Sequence, residues 1–101
     1  MLVFFSISPV GEGESVSKAV APIVELIAAS GLEYQLTSMG TIFEGTSDQV
    51  FDLLKKCHAK MKESQHRVTS KILIDDRGDE TGRIRRKVAR IEEQLGRRLD
   101  L

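Results

Sequence analysis

A chain of 101 residues holds one ordinary domain with a sheet and two or three helices, and is too short to enclose a deep site within one subunit. Fifteen basic residues balance fifteen acidic ones, which removes any global field that would draw the protein to nucleic acid, a membrane surface or a strongly acidic substrate. The single cysteine, Cys57, excludes an internal disulfide framework, and with only His58 and His66 beside it no zinc set of the usual spacing can be assembled.

The apolar N-terminal stretch "MLVFFSISPV" lacks a basic flank, is too short to span a bilayer and ends in Pro-Val-Gly. It reads as a strand over Leu2 to Ser8 and not as a signal, and together with the lone cysteine it sets the expectation of a cytoplasmic protein. Val16, Val20, Ile23, Val24 and Ile27 then recur at helical spacing, with Ser15 as the expected cap and Ser30-Gly31 as the close. Pro22 falls inside that helix, which predicts a kink or a later start.

Glu33 to Met39 and Thr41 to Gly45 form a predicted hairpin meeting at Gly40, where glycine tolerates the angles of a tight reversal. Thr46 and Gln49 have capping-box spacing and open a second helix with a stripe of Val50, Phe51, Leu54, Cys57, His58 and Met61. Arg67 to Asp75 alternates as a strand, and Asp79 is the expected cap of a last helix striped by Ile84, Val88, Ile91 and Leu95. The order β-α-β-β-α-β-α predicts an α+β fold: a ferredoxin-like βαββαβ sandwich with an additional C-terminal helix, spanning residues 1–101 as a single domain.

Strand parity puts Val3, Phe5, Ile7, Tyr34 and Leu36 under the helices and leaves Phe4, Ser6, Ser8, Gln35, Thr37, Arg67, Thr69, Lys71 and Leu73 on an open face. For the third strand parity alone is ambiguous; Phe43 inward and Glu44 outward is the preferred arrangement. A face of hydroxyls, one amide and some aliphatic groups can pair with a copy of itself or bind a small polar ligand.

Several features carry competing readings. "SPVGEGES" has glycines before a helix, but Glu12 and Glu14 repel phosphate, so a plain turn is favoured, with a cation or an amine-bearing ring as the alternative. "DDRGDE" does not match a calcium loop and reads as strand end plus helix cap. Cys57 and His58 read as packing residues, not as a nucleophile or metal ligands. Arg83, Arg85, Arg86, Lys87 and Arg90 make the last helix basic, which fits a solvated or subunit-bridging face better than nucleic-acid binding. Glu44 is either a solvated strand-ending carboxylate that also favours the N-terminus of the helix just after it or a counter-ion for a cationic ligand, and from its chemistry alone the first is favoured.

Taken together, "SISPVGEGESVS" (6–17), "GLEYQLTSMGTIFEG" (31–45) and "RVTSKILIDDR" (67–77) resemble the small thiamine-binding protein family over nearly the whole chain. The family's motif residues fall on Ser8, Gly11, Ser15, Ser17, Met39, Gly40, Thr41, Glu44, Gly45, Arg67, Val68, Asp75 and Arg77. The resemblance implies a ferredoxin-like subunit that pairs through its sheet into a homodimer or homotetramer and binds thiamine or its hydroxymethylpyrimidine portion without transforming it. On that basis Ser8, Met39, Thr41 and Glu44 are the expected ligand contacts. Thiamine's cationic thiazolium, flat aminopyrimidine and hydroxyethyl tail suit a carboxylate, a sulfur-bearing wall and hydroxyls. Pro22, and "SQHRV" where the family would carry a glycine before Arg67, depart from the pattern.

The expected activity is therefore non-enzymatic: a carrier, buffer or sensor of thiamine, with no catalytic residues, metal, cofactor, nucleic acid or membrane partner. The rival from another class is an oligomeric interaction module of unknown partner with no physiological thiamine role. An enzyme acting on a related metabolite ranks last, because no nucleophile and base pair can be assembled.

Overall fold

The computed structural model describes residues 1–11, 16–78 and 80–100. Its elements are β1 (Leu2–Pro9), α1 (Val16–Ala29), β2 (Glu33–Leu36), β3 (Thr41–Glu44), α2 (Ser47–Lys62), β4 (Val68–Asp75) and α3 (Arg83–Leu95). The four strands form one antiparallel sheet in the order β2-β3-β1-β4. This is the ferredoxin-like sandwich, with α3 added after the last strand. No helix among the described residues is long and apolar enough to cross a membrane.

The core lies between the sheet and the α1 and α2 layer. Val3, Phe5 and Ile7 alternate into it from β1, Ala19, Ile23 and Ile27 from α1, and Val50, Leu53, Leu54, Cys57 and Met61 from α2. Phe43 is fully buried and meets Phe5 edge to face, with ring centroids 6.3 Å apart, an arrangement favoured by the ring quadrupoles. The preferred parity of β3 is thus the observed one, since Phe43 pairs in register with inward Val3 and Glu44 with outward Leu2.

Several expectations are corrected. Tyr34 and Leu36 share a face with Phe43 and Thr41, yet they are 41% and 57% exposed, because β2 is an edge strand that the helices do not fully cover. On α2, Phe51 and His58 are exposed and Leu53 takes the buried place, which rotates the stripe by part of a turn. Helix α1 begins at Val16 and continues through Pro22, which is exposed, so the carbonyl left without its helical donor can be hydrated. Val16 itself is exposed and Ala19 joins the stripe in its place. The Ser15 and Asp79 caps and the carboxylates of Glu12 and Glu14 lie outside the described residues. Helix α3, however, begins only at Arg83, with Gly82 in the N-cap position.

The β2-β3 turn is organised by Thr37, whose Oγ1 donates to the Gly40 carbonyl (2.7 Å) and accepts from the Met39 and Gly40 N–H groups (both 3.2 Å). Gly40 is required for space and not for its backbone angles, since its φ is not positive. A Cβ there would lie 2.8 Å from the Phe4 ring and 2.8 Å from the Phe5 carbonyl oxygen. Gly40→Ala should therefore lower the stability of the fold by about 1–3 kcal/mol through overpacking against backbone. Urea unfolding followed by circular dichroism checks this, and an unchanged midpoint would show that the hairpin yields freely.

Candidate functional site

Four residues form one row across the sheet on the face opposite α1 and α2. Glu33 pairs in register with Glu44, Glu44 with Leu2, and Leu2 with Asp75. Three of the four are carboxylates, and α3 begins directly over them. Gly82 offers no side chain to cap its own helix, so Glu44 does so from β3: its Oε1 accepts from the Gly82 N–H at 2.8 Å, and both oxygens accept from the Arg83 N–H at 3.3–3.4 Å. The Glu44 residue is only 9% exposed, and such burial is tolerable because the carboxylate meets N–H groups at the positive end of a helix.

Either side of that contact, the first turn of α3 is tied to the neighbouring acids. The Arg83 guanidinium is almost wholly buried; it donates to the Asp75 carbonyl at 2.8 Å and pairs with the Asp75 carboxylate. Arg85 reaches Glu33 at 3.4 Å on the other edge, a pair exposed enough to contribute little. The sheet face expected to stay open is thus covered at one end. The basic helix is not uniformly solvated, because Arg83 points inward.

The expected ligand residues take separate places. Ser8 sits near the far end of β1 on the second face, opposite Thr69. It lies six positions along the strand from Leu2, Glu44's partner, a distance of about 20 Å. Met39 is 81% exposed in the hairpin turn, and Thr41 is buried on the helix face beside Phe5. One chain therefore does not bring Ser8, Met39, Thr41 and Glu44 around a single cavity.

Glu44 does line a cavity of about 450 Å³ with Gly45, Thr46, Ser47, Asp76 and Glu80. Local sequence shapes its walls. Thr46 and Gln49 form the expected capping box, with Thr46 Oγ1 accepting from the Gln49 N–H at 3.2 Å and Gln49 Oε1 from the Thr46 N–H at 2.9 Å. Asp76 Oδ1 accepts from the Gly78 N–H at 3.0 Å, which turns the chain after β4. The Met1 ammonium is held by the Gly45 carbonyl at 2.8 Å. With three carboxylates and three hydroxyls against the one Met1 ammonium, the cavity suits a cationic or amine-bearing ligand. Asp76, Glu80 and Thr46 were not among the expected site residues; "DDRGDE" and the capping box carried them, but as purely local features.

Among the described residues no group of three or more His, Cys, Asp or Glu is placed to hold a metal ion. Cys57 is fully buried, and desolvation raises its thiol pKa from 9.0 to about 11. At neutral pH it is a protonated, apolar core side chain.

Residues 3–92 match the thiamine-binding protein family, and the chain belongs to that family. It is 36% identical over 88 residues to a UPF0045 protein of Methanocaldococcus jannaschii, covering 87% of this chain and 88% of that one. To the UPF0045 protein YqgV of Bacillus subtilis it is 33% identical over 96 residues, covering 89% and 92%. A crystal structure of a hypothetical protein from M. jannaschii has a TM-score of 0.80 at 35% identity, covering 91% of this chain and 95% of that one. The structure of a candidate thiamine biosynthesis/salvage protein from Thermotoga maritima shares the fold at 20% identity, with a TM-score of 0.79 and coverage of 89% and 96%.

Two outcomes follow. Glu44→Gln places an amide N–H₂ or a neutral oxygen against the α3 donors, so the variant should lose about 1–3 kcal/mol of stability, with faster hydrogen exchange at Gly82 and Arg83. Unchanged exchange at those amides would mean that α3 docks without the carboxylate. For Cys57 the folded pKa lies above the unfolded one, so its contribution is constant below about pH 9. As pH rises from 9 toward 11 the unfolded chain releases the proton first, and about 2–3 kcal/mol should be lost. Urea midpoints of the wild type should fall more steeply over that window than those of Cys57→Ala.

Proposed function

We propose that this protein binds thiamine or its hydroxymethylpyrimidine portion without transforming it, as a cytoplasmic carrier, buffer or sensor that needs no cofactor. Membership of the thiamine-binding family across residues 3–92 carries the reading. The acidic cavity at Glu44 agrees with it, because its volume is in the range of small-molecule sites and its carboxylates complement a thiazolium or an aminopyrimidine. The thiamine biosynthesis/salvage assignment of the Thermotoga maritima protein points the same way. Ser8 and Met39, away from Glu44 within one chain, enter the proposal as contacts supplied by a neighbouring subunit or by a second end of the site, whereas Thr41, buried on the helix face, enters it only by packing beneath the hairpin.

A homodimer or homotetramer paired through the sheet is part of the same proposal. Leu73 is 69% exposed and lies in one register row with Phe4 and Ile42 on the second face. Apolar side chains gathered on one sheet face favour pairing with a copy of that face.

Because Glu44 also holds α3, the cleaner ligand variants are Asp76→Asn and Glu80→Gln. Calorimetry should show binding of thiamine or hydroxymethylpyrimidine to the wild type and weaker binding to the double variant, by about tenfold or more. Chromatography should return the ligand unchanged, and light scattering should report an oligomer. Absence of binding to the wild type would overturn the thiamine reading, a chemically altered ligand its non-enzymatic form, and a monomer the sheet pairing.

A further inference from the structure

A second concavity, on the other side of the α3 docking contacts, has the opposite charge. It is a cleft of about 550 Å³ between α3 and the Leu2–Asp75 end of the sheet. Its lining carries five cations, Arg77, Arg83, Arg86, Lys87 and Arg90, against one carboxylate, Asp75. In a chain of zero net charge such an excess is a local arrangement, not a by-product of composition. The cleft and the Glu44 cavity share no lining residue.

The internal pairing leaves part of this charge uncompensated. Asp75 is engaged by Arg83, and more loosely by Arg77 at 3.7 Å; Arg86 is held by Glu80 at 3.3 Å and by the Thr81 carbonyl at 2.9 Å. Lys87 and Arg90 have no counter-ion among the described residues. They are three positions apart on α3 and so project from neighbouring points of one helix face. The acids of α3, Glu92 and Glu93, do not line the cleft, and Glu92 instead accepts from the Leu99 N–H at 2.6 Å. Leu2 and half-exposed Ile91 supply an apolar wall beside the cations.

A guanidinium and an ammonium side by side, with further arginines steadied by internal pairs, match an anion with several oxygens and more than one charge. We propose that this cleft binds the phosphoryl or pyrophosphoryl group of a small molecule, whose organic portion lies against Leu2 and Ile91. The inference does not depend on thiamine being the ligand of the Glu44 cavity.

The test is titration calorimetry of the full chain with inorganic pyrophosphate at low ionic strength. The wild type should bind, and Lys87→Gln/Arg90→Gln should bind at least about tenfold more weakly, with an unchanged circular dichroism spectrum because neither side chain joins an ion pair among the described residues. Arg97→Gln/Arg98→Gln removes the same charge outside the cleft and should bind like the wild type. No binding by the wild type, or an equal loss in both double variants, would overturn the proposal. So would tight capture of a single-stranded RNA of about twelve nucleotides that pyrophosphate cannot displace, since that would make the surface a track for a nucleic-acid backbone.

Discussion

A buried carboxylate needs donors, and the first turn of a helix has N–H groups without acceptors. In this protein the two requirements are met by each other. Glu44, at the end of β3, accepts from Gly82 and Arg83 at the start of α3. The same turn sends Arg83 to Asp75 across the sheet, so that α3 is tied to a central and an edge strand at once. The ferredoxin-like sandwich could exist without this contact, but its second face would then be uncovered along its whole length. Both concavities described above have walls built from α3 or the loop leading to it.

The docking also sorts charge in a chain whose totals cancel. Acids at the ends of β3 and β4 face the α3 N-terminus and the adjacent loop, whereas the arginines and lysine of the following helical turns line the cleft beyond. An acidic cavity and a basic cleft thus lie either side of one helix start. Neither depends on net charge, which is why composition excluded global steering and yet could not exclude local electrostatic recognition.

Where a feature is local, the sequence was a sound guide. Thr46 and Gln49 are three residues apart and cap each other, and the alternation of Val3, Phe5 and Ile7 needed only a covered face. Features set by neighbours were read less well. Tyr34 and Leu36 have the right parity but the exposure of an edge strand, and Phe51 yields to Leu53 because the position of α2 over the sheet decides which side of the stripe is covered. Gly40 was singled out for its backbone freedom, while the contact that excludes a side chain comes from Phe4 and Phe5, 35 or more residues away.

The sequence by itself determined the element order, the capping box, the inward face of β1 and the absence of a dominant net charge, because each follows from propensity, period or sum. It also presented Glu44 as a carboxylate suited to a helix N-terminus, but as a solvated one, whereas the folded chain buries it. Only the tertiary structure decided which helix: not α2, which follows it directly, but α3, 38 residues on. It likewise separated Ser8, Met39 and Thr41 from Glu44 and gathered Lys87 and Arg90 opposite Leu2. The physical reason is that cross-strand register and helix docking bring together residues whose separation along the chain carries no periodic signal.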